Sequence, residues 1–237
     1  MKQLIIAVMS CMAMISAHAQ NLLGAWETMV TIEGQQLKKV AIFAEGYQVE
    51  TVYNAQTGTF VATNGGGWGL NGNLLSETVE FNTEKPSLIG TTQSFEIEFA
   101  DNDHFKIIDA EINWRRIDGG TPGALSGPWL MSARKRDGVL QQRDTDSPRK
   151  TMKILSGTRF QWIAYNAETK EFTGTGGGNY TTVDGTYTEN IEFFSRDPSR
   201  VGISLEFGYE LKEGNWHHSG LSSKGTPIYE VWSKRAQ

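Results

Sequence analysis

Apolar and polar residues alternate with a period of two along most of the chain. From 202 to 212, every second residue is apolar and the residues between are glycine or polar. Residues 94–99 show the same alternation. Successive side chains of a β-strand point to opposite faces, so this pattern predicts half-buried strands. No segment shows a convincing helical period, and the chain is therefore predicted to be all-β.

The alternating pattern occurs twice, because the chain contains an internal repeat. Residues 53–57 (Tyr-Asn-Ala-Gln-Thr) return as residues 165–169 (Tyr-Asn-Ala-Glu-Thr). At that offset of 112 residues, 11 of the 29 positions from 53 to 81 are identical without a gap. A period of this length is a whole domain and not one unit of a solenoid. The chain is therefore predicted to hold two copies of one β-rich module.

Each module has about eight predicted strands in roughly 100 residues, which favours a small barrel. Eight antiparallel strands with one apolar face close naturally into a meander, and closure removes exposed strand edges. We therefore expect two tandem small antiparallel meander β-barrels, with a β-sandwich or one larger barrel built from both halves as alternatives. The predicted boundaries are a signal peptide at 1–19, the first barrel at 21–118, a linker at 119–124 and the second barrel at 125–237.

The N-terminus indicates export. Lys2 precedes a short apolar run, and residues 17–19 (Ala-His-Ala) form a small-x-small site, so cleavage after Ala19 is expected. No later apolar run reaches the length of a membrane span, and a secreted or periplasmic location is predicted. Cys11 is the only cysteine, so the mature chain has no disulfide or thiolate metal site; lipidation at Cys11 stays an alternative. The formal net charge of −5 argues against nucleic acid as a partner.

Each module opens on a tryptophan and closes on a tryptophan followed by basic residues. Trp26 and Trp129 are 103 residues apart, nine fewer than the repeat offset. The second module therefore has about nine additional residues, and the polar segment 143–150 is the predicted insertion. Basic pairs follow the last strands at 115–116 and 234–235. One member of each pair is expected to cover the opening tryptophan through a cation–π contact.

This Gly-x-Trp phrase, with a basic residue placed to cover the tryptophan, resembles the signature of lipocalins and other calycins. In the second module, residues 176–180 (Gly-Gly-Gly-Asn-Tyr), 187–189 (Tyr-Thr-Glu) and 229–232 (Tyr-Glu-Val-Trp) resemble an uncharacterised family of small secreted bacterial lipocalin-like proteins. The resemblance implies a barrel and no established activity. The chain departs from true lipocalins in lacking a disulfide and a C-terminal helix and in having shorter modules, which argues against a large lipid-carrying cavity.

Glycine runs occupy equivalent positions in the two modules, at 65–67 and 176–178. No helix start, lysine or hydroxyl residue follows them at the spacing of a phosphate loop. Glycine within a strand marks a bend or a close approach of another backbone, and we expect that role here.

Both modules place a glutamate in the middle of an apolar stripe. Glu189 shares a strand face with Tyr187, Ile191 and Phe193, and Glu77 takes the same position in the first module. An ionised carboxylate is costly to bury unless it is paired or hydrogen-bonded. Two interpretations stay open: an internal anchor bonded to a tyrosine hydroxyl or an arginine, and a group that faces a cavity and binds a ligand.

Glu230 shares a strand face with Trp232 and is predicted to share an interior with Glu189. Ile112 takes the position of Glu230 in the first module, so any activity is expected in the second. We expect a non-enzymatic protein that binds a small hydrophobic or glycan-like ligand in or at the mouth of the second barrel. A carboxylate-pair glycan hydrolase and a purely structural or adhesion module are the alternatives. The predicted ligand-binding residues are Glu189, Glu230, Tyr180, Tyr187, Trp232 and Glu77.

The histidines predict no metal site. His217 and His218 are adjacent, so on a strand they point to opposite faces and cannot both bind one metal ion. Some small calycin barrels hold haem through a late-strand histidine, which leaves a haem ligand as an alternative at either residue. No cofactor is expected.

Overall fold

The computed structural model describes residues 21–120, 123–222 and 225–236. The predicted signal peptide, Cys11 within it and part of the predicted linker lie outside those ranges. The secondary structure described is antiparallel β apart from two 3₁₀ turns, Pro86–Leu88 and Pro198–Arg200. Across the described residues, no helix is long and apolar enough to cross a membrane.

The first half of the chain is a closed eight-stranded antiparallel barrel in which each strand pairs with its neighbour in sequence and β1 pairs with β8. Short turns join most strands. The strands are β1 (Gly24–Ile32), β2 (Gln35–Ala44), β3 (Tyr47–Asn54), β4 (Phe60–Asn71), β5 (Leu74–Asn82), β6 (Thr92–Phe99), β7 (His104–Ile107) and β8 (Ile112–Asp118).

The second half repeats this meander and closes through pairing of its first and last strands. It has one additional strand, β10, which pairs only with the far end of β9 and lies just before the predicted insertion at 143–150. Two closed barrels in tandem confirm the predicted fold class and exclude the sandwich and the single larger barrel. The strands are β9 (Gly127–Arg136), β10 (Val139–Gln142), β11 (Arg149–Leu155), β12 (Arg159–Asn166), β13 (Phe172–Val183), β14 (Thr186–Phe194), β15 (Ser204–Lys212), β16 (Asn215–Leu221) and β17 (Pro227–Lys234).

The glycine runs lie where two strands approach too closely for a side chain. The register of β4 against β5 shifts between Gly65 and Gly66, and the equivalent shift occurs between Gly177 and Gly178. A Cβ atom on Gly66 or Gly178 would overlap a backbone carbonyl of the neighbouring strand. The expected role of these glycines in a bend is therefore confirmed, and the bulge sharpens the curvature that closes each barrel.

Both opening tryptophans are covered by the predicted basic residues. The Arg116 guanidinium lies 4.0 Å from the ring centroid of Trp26, and the Lys234 ammonium lies 4.3 Å from that of Trp129. Each indole N–H donates to the backbone carbonyl four residues earlier, at 2.8 Å in both barrels. These contacts close one end of each barrel. Arg235 takes a different role, described below.

The two barrels pack against each other through a pseudo-twofold interface built from the repeated residues. Tyr53 stacks on Phe193 with ring centroids 5.0 Å apart, and the equivalent Tyr165 packs on Phe81 at 4.7 Å. The third pair of identical aromatic residues, Phe60 and Phe172, stack on each other with ring centroids 5.9 Å apart. In a twofold interface the same pair of residues makes contact twice, once in each direction. The pairs Tyr53–Phe193 and Tyr165–Phe81 show this pattern. The duplication therefore gave the chain an interface of the kind found in a homodimer.

Two half-buried carboxylates hold this interface. The Tyr53 hydroxyl donates to Glu192 at 2.7 Å, and the Tyr165 hydroxyl donates to Glu80 at 2.9 Å. Arg159 also binds Glu192 through both terminal nitrogens, at 2.5 and 2.7 Å. Burial alone would raise the pKa of Glu192, but these bonds outweigh it and lower the pKa to about 2.

Glu80 has a different cation, Arg235 from the end of the chain, at 2.6 Å. The Arg235 guanidinium also lies over the ring of Tyr47, at 4.1 Å from its centroid. The C-terminal segment of the second barrel is thus fastened to the first, which explains why Arg235 does not cover Trp129.

Asp118, the last residue of β8, fixes the junction between the barrels. Its carboxylate accepts hydrogen bonds from the turn between β11 and β12: from the Ser156 hydroxyl at 2.8 Å, the Gly157 amide at 3.0 Å and the Thr158 hydroxyl at 2.6 Å. Burial would raise the pKa of Asp118, but these donors lower it overall. The last strand of the first barrel therefore holds the turn between β11 and β12 of the second barrel.

Candidate functional site

The strand registers show which interior positions of the two barrels are equivalent. Ala41 pairs with Trp26 in the first barrel, and Lys153 pairs with Trp129 in the second. The same logic matches Leu75 with Tyr187, Phe95 with Phe207, Phe105 with Trp216, Trp114 with Trp232, Ile107 with His218 and Ile112 with Glu230. The interiors share a framework and differ sharply in the side chains that fill it.

The interior of the second barrel is built around a buried ion pair. The Lys153 ammonium lies 2.7 Å from Oε1 of Glu189, and both side chains are less than one-tenth exposed. Four aromatic rings surround the ammonium, with centroids 4.9–5.8 Å away; they belong to Tyr187, Phe207, Trp216 and Trp232. Of the two interpretations of Glu189, the anchor is the one this geometry favours, with a lysine in place of the expected tyrosine or arginine.

Glu230 lies in the same interior, as the alternation predicts. Its carboxylate lies 3.3 Å from Nδ1 of His218 and 3.7 Å from Nε of Arg134. Burial would raise the pKa of Glu230, but His218, Lys153 and Arg134 lower it overall. Burial and the Lys153 charge lower the pKa of His218. Both carboxylates of the second barrel therefore already face cations or an imidazole of their own chain.

The first barrel contains a cavity of about 440 Å³ that is partly open to solvent. Its wall comes from the strands, and the connection between β5 and β6 contributes Glu84, Lys85 and Leu88. Ligand pockets commonly measure about 300–1,000 Å³, so a small molecule fits. The interior side chains that line it include Lys39, Ala41, Phe43, Gln48, Glu50, Leu75, Glu77, Val79, Phe95, Phe105, Ile107, Ile112 and Trp114.

Smaller residues open this space. Ala41 stands where the second barrel has Lys153, and Leu75 stands where it has Tyr187. Phe105 likewise replaces a tryptophan. Because the shared framework fixes the positions of the strands, these three replacements leave volume that the second barrel fills with its own side chains.

Glu77 is an unpaired carboxylate in the wall of that cavity. No hydrogen bond or ion pair joins its side chain to any other residue in the described ranges. The lysine that pairs with the equivalent glutamate of the second barrel, Lys153, is replaced here by Ala41. Burial, and to a smaller extent the Glu50 carboxylate, raise the pKa of Glu77 to about 7. Glu50 itself is paired with Lys39 at 2.8 Å. Glu77 is thus a carboxylate in the cavity wall that a ligand could pair with.

Two further polar atoms of the cavity wall lack partners. Oε1 of Gln48 and Nε1 of Trp114 are buried and make no hydrogen bond within the described part of the chain. Their residues are 1% and 2% exposed, respectively. A buried polar group without a partner costs about 1–3 kcal/mol, which a bound molecule with a matching donor or acceptor would offset. One acceptor, one donor and one carboxylate without partners therefore face a cavity whose other walls are partly apolar and partly polar. The donor says least about a ligand, because Nε1 of the equivalent Trp232 is also without a partner in the second barrel.

Comparisons with known proteins assign no activity to the chain. Residues 124–237, the second barrel, match the model of a family described as a domain of unknown function, DUF4488. Among solved structures, a lipocalin-like protein from Bacteroides uniformis is 16% identical, with a TM-score of 0.34 over 48% of this chain and 100% of that one. No curated protein matches the chain. The topology and the covered tryptophans make each barrel lipocalin-like, as the sequence resemblance implies.

The remaining predicted site residues lie in the second barrel. Tyr180 is at the closed end, where its hydroxyl donates to the backbone carbonyl of Ser156 at 2.6 Å. Tyr187 and Trp232 form part of the aromatic cage around Lys153. That the second barrel binds a ligand stays a prediction, and the geometry favours the first, where Glu77 is the one predicted site residue.

Sequence reasoning missed Ala41, Gln48 and Trp114 as site residues. An alanine in an apolar run carries no chemical signal by itself. The signal available was the repeat: at the offset of 112 residues, Ala41 stands opposite Lys153, so one glutamate of the pair has a potential lysine partner and the other does not.

The adjacent histidines point to opposite faces, as expected. His218 is buried in the second barrel, whereas Nδ1 of His217 lies 2.8 Å from the Tyr229 hydroxyl on the other face. Among the residues that the structure describes, no three histidine, cysteine, aspartate or glutamate side chains cluster to hold a metal ion. Haem at either histidine stays an untested alternative.

A larger groove of about 700 Å³ runs between the barrels beside the junction. Its two basic residues are already engaged: Lys234 donates to the carbonyl of Ser126 and covers Trp129, and Arg235 binds Glu80. The first-barrel cavity is the stronger candidate because Glu77 and Oε1 of Gln48 in its wall have no partner among the described residues.

Proposed function

We propose that the chain is a non-enzymatic binding protein that holds a small, largely apolar ligand inside the first barrel. The observation that carries the proposal is the 440 Å³ cavity with the unpaired Glu77 in its wall. Apolar walls with a few placed polar groups are the usual composition of a small-molecule site.

The pairing of the interior carboxylates with other side chains supports binding and not hydrolysis. Retaining and inverting glycosidases use two carboxyl groups that flank the bond to be broken. In the second barrel, Glu189 is bound by Lys153 and Glu230 lies against His218, so neither is free to act on a substrate. In the first barrel, position 112 is isoleucine, so Glu77 has no counterpart of Glu230 there. The other carboxylate near it in the cavity wall, Glu50, is paired with Lys39 at 2.8 Å.

An uncharged apolar fluorophore, N-phenyl-1-naphthylamine, tests the proposal. We expect its emission to rise on adding the protein, because the cavity removes it from water. Ala41→Phe places a ring in the cavity and should abolish the rise. Val61→Phe adds the same ring at a position that is 49% exposed and should leave the rise unchanged. Equal binding by the wild type and Ala41→Phe, with both folded by circular dichroism, would contradict the proposal.

The proposal also includes export, which follows from residues 1–19. N-terminal sequencing of the protein purified from its own source should start at Gln20. A first residue within 1–19, or a lipid attached at Cys11, would contradict the predicted cleavage.

A further inference from the structure

The second barrel shows which chemical group its interior glutamate binds. The Lys153 ammonium enters from β11, meets Oε1 of Glu189 at 2.7 Å and lies among four aromatic rings. Charge-assisted hydrogen bonding and cation–π attraction act on the same atom, and both strengthen when water is excluded. Lys153 therefore occupies a complete ammonium-binding site contributed by its own barrel.

The first barrel keeps this site and lacks the lysine. Glu77 matches Glu189, and three aromatic residues at the cage positions, Phe95, Phe105 and Trp114, line the cavity. Ala41, which takes the position of Lys153, ends at its Cβ atom and lines the cavity, so no side chain extends into the cavity from this position. The carboxylate and the aromatic walls are present, and the ammonium with its alkyl chain is missing.

We propose, on the basis of the binding role proposed above, that the ligand of the first barrel is an alkyl or arylalkyl amine whose ammonium group contacts Glu77 in the position that Lys153 takes in the second barrel. The alkyl part lies along the apolar wall beside Ala41. Oε1 of Gln48, which has no donor in the described residues, is a second acceptor in the same wall.

The other charges around the cavity are compatible with a cationic group. On β3, Glu50 adds a second carboxylate, and its partner Lys39 on β2 is held 2.8 Å from it. Glu84 and Lys85, in the connection between β5 and β6, carry opposite charges. Counted together, these five groups carry a net charge of −1 when Glu77 is ionised, and an entering ammonium neutralises it.

Calorimetric titration with hexylammonium and with 1-hexanol tests the proposal. The two probes have the same chain, and at pH 8 the amine is charged because its pKa is close to that of lysine, about 10.4. We expect hexylammonium to bind at least about tenfold more tightly than hexanol. Glu77→Gln should remove that preference and leave hexanol binding within about twofold. Glu98→Gln, on an exposed position of β6, is the matched control.

A second measurement needs no ligand. Ala41→Lys should supply the missing ammonium and raise the unfolding midpoint above that of Ala41→Met, which fills a similar volume without charge. The difference should vanish when Glu77→Gln is added to both variants. Ala41→Lys should also block hexylammonium.

The outcomes separate this inference from the binding role itself. If hexanol and the fluorophore bind but hexylammonium shows no preference, and Ala41→Lys is no more stable than Ala41→Met, the ammonium assignment is overturned and the cavity stands. If none of the probes binds, both are overturned.

Discussion

Tyr53 stacks on Phe193 across the interface between the two barrels, and its equivalent Tyr165 packs on Phe81 in the opposite direction. These residues are among the most visible identities of the sequence repeat. Their conservation between the two halves therefore reflects the interface and not a shared ligand site. The interiors, which would carry binding, have diverged much further.

The interface should depend on the two tyrosine hydroxyls. Tyr53→Phe and Tyr165→Phe each remove a hydrogen bond from a buried hydroxyl to a half-buried, charged carboxylate, and we expect each to lower the free energy of unfolding by about 1.5–3 kcal/mol. Tyr209→Phe is the control, because the Tyr209 hydroxyl has no partner in the described residues, and it should change stability by less than about 0.5 kcal/mol. Guanidinium unfolding measures all three. Equal values for Tyr53→Phe and Tyr209→Phe would show that the Tyr53–Glu192 bond contributes nothing.

The Lys153–Glu189 pair should be costly to break from one side. Lys153→Met leaves Glu189 buried without a partner and should destabilise the chain by about 3–5 kcal/mol. Adding Glu189→Gln should recover part of that loss. Lys212→Met removes one partner of an exposed pair and should cost less than about 0.5 kcal/mol. If the two lysine variants are equally stable, the pair is not the centre of the second barrel.

Glu77 should make the ligand-free protein less stable as the pH rises. Its folded-state pKa is about 7 against about 4.5 for the free side chain, so the folded state binds more protons between these values. Stability is therefore highest below pH 4.5 with respect to this group and falls as the pH rises through 7. Glu77→Gln should gain about 2–3 kcal/mol relative to the wild type between pH 5 and pH 8. A gain that does not depend on pH would contradict the raised pKa.

Arg116 and Lys234, which lie over Trp26 and Trp129, should differ in how well they tolerate substitution. The Arg116 guanidinium donates to the carbonyls of Asn21, Leu23 and Asn102 at 2.7–2.8 Å in addition to covering Trp26. A lysine cannot reproduce that fork, so Arg116→Lys should cost about 1.5–3 kcal/mol. Lys234→Arg keeps the charge over Trp129 and should cost less than about 1 kcal/mol. Thermal unfolding of the two variants compares them directly, and equal shifts would rule out the three-carbonyl role.

Much of the fold follows from the sequence because a strand's period of two is local. The alternation in β6 and β15 predicts their half-buried faces, and the repeat predicts two barrels. The interface does not follow in the same way. Residues 40–44 are apolar without alternation, which indicates burial on both faces, but no local pattern shows that the partner surface is the other copy.

The site was harder to predict for a different reason. Lys153 stands between apolar residues of β11, 36 positions before Glu189, and only closure of the barrel brings the two charges together. The sequence places Glu189 and Glu230 inside the second barrel but does not show that they are already paired. The cavity arises from what the first barrel lacks at Ala41, and an absent side chain is visible only by comparing the two halves.

The most direct test is a proton–nitrogen NMR spectrum of the indole N–H groups during titration with hexylammonium, with the signals of Trp114 and Trp232 assigned by single Trp→Phe replacement. These tryptophans are equivalent, one in the cavity wall and one in the filled barrel. If the ligand binds in the first barrel, the Trp114 signal shifts in a saturable manner while the Trp232 signal stays in place. A shift of Trp232 with Trp114 unmoved would place the ligand in the second barrel and contradict the account.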